Sequence, residues 1–183
     1  MEQAEKTHTM AAAEPTTPDS ASPVPQVRLQ MCSNALLLSG AREMVAAVAK
    51  RLGFAEEACG QIALAVDEAL CNVIRHGYNR EANHLIWLSL FAVGNGWDGE
   101  RSAATGDGQY PEALKIVIED EAQQVDPAII KSRDLDHVRP GGLGVHIIKS
   151  VMDQAVYERR EKVGMRLTML KYRTAGVSQA AAQ

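Results

Sequence analysis

Residues 55–76 constrain the fold of this chain more than any other segment, because an apolar helical pattern there carries a polar stripe. The apolar side chains recur every three or four residues, which predicts a helix that packs its apolar face against a core. They are Ile62, Ala65, Val66, Ala69, Leu70, Val73 and Ile74. Gly77 follows directly and is expected to end the helix.

The polar stripe on this helix consists of Glu68, Asn72 and His76, each four residues from the next. Four residues turn a helix by about 400°, so the three side chains share one slowly drifting face. The amide oxygen of Asn72 is a hard ligand suited to Mg²⁺. Glu68 is placed to accept a proton from an attacking hydroxyl group. On spacing alone, the alternative is a solvated helix face that ends in a histidine.

The rest of the chain alternates between strand and helix periods. Strands are predicted at residues 27–31, 85–93, 114–118, 156–159 and 166–172, and helices at 44–52, 55–76 and 143–151, with a helical turn at 127–130. This order predicts an α+β fold in which helices cover one face of a single sheet.

One domain is predicted over residues 26–173, between two tails. Residues 1–25 are small and polar, and they lack the apolar side chains that would offset the entropy of ordering them. Residues 174–183 form a second tail of low complexity. Residues 94–111 are rich in glycine, aspartate and serine without periodicity, which predicts a surface loop insertion.

Charge and composition argue against several classes of protein. The net charge of −4 and the pI of about 5.7 argue against a nucleic-acid partner, which usually requires a basic face. No signal peptide and no apolar run of membrane-spanning length is found, so we expect a cytoplasmic protein without a membrane partner. The cysteines at 32, 59 and 71 match no zinc-binding spacing and are expected to be free thiols.

A second candidate position is Asp120, which closes a short apolar run. An acidic side chain at the end of a buried strand can point into a pocket and accept a hydrogen bond from an exocyclic amine such as that of adenine. The alternative is that Asp120 starts a turn, a common role for aspartate.

A third candidate is the glycine cluster formed by Gly141, Gly142 and Gly144, which leads directly into the helix at 143–151. Glycines let the backbone approach a ligand, and a helix start offers unpaired N–H groups to an anion. The spacing is neither the dinucleotide fingerprint nor the P-loop. A plain glycine turn before a helix is the alternative.

Taken together and in this order, the three candidates resemble the N, G1 and G2 boxes of the gyrase, histidine-kinase and MutL ATPase superfamily. Residues 68–78 are similar to the stretch "EA-x-x-N-x-x-x-H-x-Y" of the anti-sigma-factor serine/threonine kinases. The resemblance covers about residues 27–172. It implies the two-layer α/β sandwich of the Bergerat type, with a mixed, mostly antiparallel sheet.

The resemblance also implies a role for each box. Asn72 would hold Mg²⁺ against the phosphates of ATP, Glu68 would be the general base, and Asp120 would bind the adenine amine. Gly141, Gly142 and Gly144 would let the lid and the helix start close on the phosphates. The implied partners are a STAS-type anti-anti-sigma protein, which is phosphorylated on serine or threonine, and a sigma factor, with a homodimer as a further expectation.

Two residues depart from the family pattern. Ala122 stands where the G1 box normally has glycine, and its methyl group is expected to crowd the adenine or restrict the backbone. Met165 stands where a polar residue is frequent. A catalytically weak nucleotide-binding module that sequesters a sigma factor or other regulator is therefore the alternative function. A sensor histidine kinase is disfavoured, because no apolar heptads around a histidine precede Val27.

Overall fold

The computed structural model describes residues 24–94, 110–130 and 143–174. Most of both predicted tails and most of the predicted insertion at 94–111 lie outside the described residues. Gly141 and Gly142 lie outside them as well.

The described residues form five strands and three α-helices, together with shorter helical turns. The strands are β1 (Val27–Cys32), β2 (Leu85–Val93), β3 (Ala113–Asp120), β4 (Gln154–Arg159) and β5 (Met165–Tyr172). The helices are α1 (Leu38–Arg51), α2 (Glu56–Asn72) and α3 (Leu143–Val151). Short 3₁₀ turns occur at Ala35–Leu37 and Pro127–Ile129. No helix in these ranges is long and apolar enough to cross a membrane.

The strands form one sheet in the order β1-β2-β3-β5-β4. All four pairings between the described strands are antiparallel, so the mixed character expected for the sheet is not found there. The physical reason is the connection after α3. It brings β4 to the edge of the sheet, and β5 folds back between β4 and β3, antiparallel to both. The predicted α+β class is confirmed.

Helix α2 is the centre of the helical layer and contacts both α1 and α3. Its apolar face is almost completely buried, as the helical spacing predicts, and shares one core with β2 and β3. The fully buried side chains of this core include Ile62, Val66, Leu70, Ile86, Leu88, Leu90, Ile116 and Ile118. Shortening one of them to alanine would typically lower the free energy of unfolding by about 2–5 kcal/mol.

The predicted single helix at 55–76 is wrong at its end. Regular α-helix stops at Asn72, and the chain continues as a π-helical turn at Val73–Gly77, called the π-turn below. Its wider winding is seen in the hydrogen bond from Tyr78 N to Val73 O, five residues back, at 2.9 Å. Such turns inside helices are frequent at functional sites. Glu68 and Asn72 stay in α-helical register, whereas His76 lies within the π-turn.

Candidate nucleotide site

A cavity of about 680 Å³ lies between α2, the end of β3 and the start of α3. Every predicted site residue that the structure describes lines it. These residues are Glu68, Asn72, Asp120, Ala122 and Gly144. The volume falls within the usual range for small-molecule sites. The three sequence motifs, more than 70 residues apart from first to last, are therefore brought to one place by the fold.

Gly144 on α3 closely approaches Glu68 and Asn72 on α2. A Cβ atom on Gly144 would lie 2.7 Å from Glu68 Oε2 and 3.3 Å from Asn72 Nδ2. Both side chains therefore occupy the space that any residue larger than glycine would need. This contact gives Gly144 a role in the site beyond freedom of the backbone.

Asn72 carries an unusual feature, since its Nδ2 atom is buried without a hydrogen-bond partner in the described part of the chain. A buried polar atom in this state typically costs about 1–3 kcal/mol, so it is rarely retained without a ligand or a water molecule nearby. The two ends of a carboxamide have nearly the same shape, and rotation presents the oxygen in place of the nitrogen. An amide held here fits a metal ligand.

A metal at this position would find few ligands among the described residues. No cluster of three or more histidine, cysteine, aspartate or glutamate side chains that could hold a metal ion occurs within residues 24–94, 110–130 and 143–174. Mg²⁺ usually retains several water ligands and is bound through one or two protein oxygens plus substrate phosphates. The residues present therefore fit Mg²⁺ in company with a phosphate-bearing ligand, with Asn72 as the protein ligand.

Asp120 is the last residue of β3, and it is buried. Its Oδ1 atom accepts hydrogen bonds from Ala122 N at 2.9 Å and from Met165 N at 3.1 Å. Burial raises the pKa of the Asp120 carboxyl above its ordinary value, and these two hydrogen bonds act in the opposite direction. None of the described residues donates to Oδ2, which leaves an acceptor for a donor in the cavity.

The backbone around Asp120 is held on two sides. The Tyr78 hydroxyl accepts a hydrogen bond from Glu121 N at 2.7 Å, and Arg160 Nη1 donates one to the carbonyl oxygen of Asp120 at 2.5 Å. Gly164 has a φ of +86°, and a Cβ atom there would collide with that same carbonyl group. Asp120 therefore sits in a rigid frame that sets its direction, as a binding residue requires.

Ala122 fits the site better than its departure from the family pattern suggests. The residue does not have a positive φ and is 5% exposed. Its Cβ atom faces Gly77, where a second Cβ would lie only 2.9 Å away. The methyl group is thus accommodated by the π-turn, and the backbone needs no conformation that alanine disfavours.

Three further cavity residues bear on the site: Arg75 and His76 are expected from the sequence to support it, whereas Tyr157 was not assigned to it from the sequence. Arg75 and His76, on the π-turn, have exposed side chains that line the cavity and add basic groups to its wall. Tyr157, on β4, also lines the cavity, and its buried hydroxyl group has no hydrogen-bond partner among the described residues. Strand alternation identifies the inward direction of Tyr157, but no sequence pattern reveals that its hydroxyl is unpaired.

A family model described as histidine kinase-like ATPase domain matches residues 33–171. The chain belongs to this family. The matched residues include every described site residue from Glu68 to Tyr157.

Curated relatives agree with this assignment and confirm the resemblance to the serine kinases. A protein named Serine-protein kinase RsbW from Staphylococcus epidermidis is 23% identical over 154 residues, which is 80% of this chain and 86% of the relative. The protein of that name from Oceanobacillus iheyensis is 27% identical over 140 residues, or 72% and 77% of the two chains. The one from Bacillus cereus is 24% identical over 155 residues, or 80% and 84%.

Proposed function

We propose that this protein is a Mg²⁺- and ATP-dependent protein serine/threonine kinase that acts as an anti-sigma regulator in a partner-switching system. The observation that carries the proposal is the convergence of Glu68, Asn72 and Gly144 in the cavity that also holds the buried carboxylate of Asp120. The relatives named as serine-protein kinases support the same reaction.

In this proposal each nucleotide contact has its own residue. Asp120 accepts a hydrogen bond from the exocyclic amine of adenine, for which its Oδ2 is available. The Asn72 amide oxygen would hold Mg²⁺, and the bound ion would neutralise charge on the phosphates. Gly144, with Gly141 and Gly142 before it, lets the main chain at the start of α3 approach the phosphates.

Glu68 is proposed as the general base. It lies one helical turn before Asn72 and is only partly buried, so that a hydroxyl group from a second protein can reach its carboxylate. The base accepts the proton of a serine or threonine hydroxyl as that oxygen attacks the terminal phosphorus of ATP, whose bond to the bridging oxygen breaks so that ADP leaves. The packing of Gly144 against Glu68 Oε2 would hold the carboxylate in place for this step.

The proposed partners are a STAS-type anti-anti-sigma protein as the substrate and a sigma factor as the protein that is sequestered. We further propose a homodimer located in the cytoplasm, without nucleic acid or membrane as a partner. These proposals rest on the motif resemblance.

A second candidate is a nucleotide-binding module that sequesters a sigma factor or other regulator without useful catalysis. The observation in its favour is Met165, an apolar side chain that lines the cavity where the family pattern often has a polar one. Ala122 gives this candidate no support, because its methyl group is accommodated against Gly77.

The deciding experiment incubates the full chain with γ-labelled ATP, Mg²⁺ and each STAS protein of the same genome. The kinase proposal expects phosphoserine or phosphothreonine on one of them. Nucleotide binding without transfer to any of these proteins would favour the second candidate. Absence of binding at millimolar ATP would rule out both.

A further inference from the structure

Tyr157 presents a second buried polar atom in the cavity that holds Asn72 and Asp120. Its hydroxyl group is buried and finds no hydrogen-bond partner in the part of the chain that the structure describes. Buried hydroxyl groups are nearly always paired, and an unpaired one destabilises the protein that carries it. A hydroxyl kept in this state at the wall of a ligand-sized cavity indicates that a ligand supplies the missing partner.

The strand register places Tyr157 near Asp120 and on the same side of the sheet. Tyr157 pairs with Leu167 on β5, and Leu167 pairs with Ile118 on β3. Asp120 follows Ile118 by one pleat repeat and so points to the same face. Tyr157 and Asp120 lie two strand spacings apart across the sheet and one pleat repeat apart along it. Their Cα atoms are therefore separated by about 12 Å.

The walls near Tyr157 suit an aromatic ring better than a phosphate. Strand β4 contacts the turn at Pro127–Ile129. The cavity residues next to that turn and on β5 are apolar, namely Ile130, Met165 and Leu167. The basic cavity residues Arg75 and His76 come from the π-turn. A flat heteroaromatic ring gains from apolar walls, whereas a phosphate requires cations or backbone donors.

We propose that the Tyr157 hydroxyl donates a hydrogen bond to a ring nitrogen of the bound purine, which makes Tyr157 a further binding residue of the nucleotide site. This inference rests on the proposed function, since it takes the ligand to be ATP. Burial raises the pKa of Tyr157 to about 12, so the hydroxyl keeps its proton at neutral pH. Asp120 accepts while Tyr157 donates. The acceptor suits the adenine amine and disfavours guanine, whose O6 acceptor replaces that amine, and the donor suits a purine ring nitrogen.

The test compares wild-type protein with Tyr157→Phe, which removes only the hydroxyl, and with Tyr172→Phe as a matched control at an exposed tyrosine. Calorimetry with Mg²⁺ measures the affinity for ATP and for adenosine, and thermal unfolding without nucleotide measures stability. We expect Tyr157→Phe to weaken the affinity for ATP by about 2- to 12-fold, which corresponds to the loss of one hydrogen bond. The affinity for adenosine should fall by the same factor. The variant should unfold at a higher temperature than wild type, because an unpaired buried group is gone. Tyr172→Phe should change neither property.

Each other outcome has a defined meaning. Unchanged ATP affinity in Tyr157→Phe, with normal wild-type binding that is lost in Asp120→Asn, would overturn this inference and leave the proposed function intact. Loss of affinity for ATP but not for adenosine would place the hydroxyl on the phosphates and overturn the assignment to the base. A lower unfolding temperature would show that the hydroxyl is already paired. Wild-type protein that binds no ATP would overturn the proposed function and this inference with it.

Discussion

The methyl group of Ala122 packs against Gly77, in space that is free because Gly77 has no side chain. A Cβ atom on Gly77 would lie 2.9 Å from the Cβ of Ala122, closer than two carbon atoms normally pack. The contact exists because α2 passes into the π-turn after Asn72, which carries Gly77 to the backbone just beyond Asp120. The end of the helix and the loop after β3 are therefore matched to each other in size.

This match predicts coupling between the two positions. Gly77 has no positive φ, so Gly77→Ala adds steric overlap without backbone strain and should lower the free energy of unfolding by about 1–3 kcal/mol. Adding Ala122→Gly to that variant should restore much of the loss. Denaturant unfolding of the two single variants and the double variant gives the coupling energy, expected at about 0.5–3 kcal/mol. Simple additivity would show that the two residues do not contact each other.

A second prediction concerns Ala122→Gly alone. Because the methyl group faces Gly77, removing it should leave the affinity for ATP nearly unchanged. The free energy of unfolding should fall by about 0.5–1 kcal/mol, since glycine gains freedom in the unfolded chain. Calorimetry and denaturant unfolding measure the two quantities. A clear gain in ATP affinity would mean that the methyl group crowds the nucleotide after all.

The third prediction uses the contact between Gly144 and the polar stripe. Gly144→Ala would place a methyl group 2.7 Å from Glu68 Oε2. The carboxylate is the end of a flexible side chain and can move, so the protein should fold normally. Phosphorylation of the proposed STAS partner should drop by about tenfold or more, as expected when the proposed base is displaced by about 1 Å.

The matched control for Gly144→Ala is Gly60→Ala on α2, where a Cβ atom meets nothing within 4 Å. This variant should keep full activity and gain about 0.5–1 kcal/mol of stability, because alanine is favoured over glycine inside a helix. If the Gly144→Ala protein is as active as this control, the contact between Gly144 and Glu68 is not needed for activity.

The sequence predicts those parts of the site that depend on local spacing. Glu68 and Asn72 share a face because four residues make about one helical turn, and Asp120 ends a strand because an apolar run ends there. The class of the fold follows from the order of such elements. Gly141 and Gly142 lie outside the described residues, and their roles stay predictions.

Tertiary contacts decide what the sequence could not predict. An uninterrupted helical pattern runs through Val73 and Ile74, and nothing local marks the change to π-helical winding, which places Gly77 against Ala122. Strand β4 was predicted to start at Val156, but pairing with β5 extends it back to Gln154. The unpaired hydroxyl of Tyr157 depends on which atoms surround it in three dimensions, and a linear pattern contains no such information.

The fourth prediction is the pH dependence caused by Asp120. Burial raises the pKa of its carboxyl in the folded protein above the ordinary value of 3.8. The stability associated with this shift is fully present below pH 3.8 and is lost as the pH rises through the folded-state pKa. Asp120→Asn cannot titrate. The free energy of unfolding of wild type minus that of the variant should therefore decrease as the pH rises from 3.8 to neutral. A difference that rises over this window would show that the hydrogen bonds from Ala122 and Met165 outweigh burial.

The last prediction separates catalysis from binding at Glu68. Glu68→Gln keeps the size of the side chain and its packing against Gly144 but removes the proton acceptor. General-base catalysis typically contributes 10²–10⁴-fold to a rate, so phosphorylation of the proposed STAS partner should fall by roughly that factor. Binding of ATP and of the sigma factor should persist, because the Asn72 amide and the Asp120 carboxylate are unchanged. Glu57→Gln, at an exposed position in the first turn of the same helix, is the matched control and should phosphorylate at the wild-type rate. A Glu68→Gln protein that matches this control would exclude Glu68 as the base, and one that loses folding or all binding would assign the carboxylate a structural role.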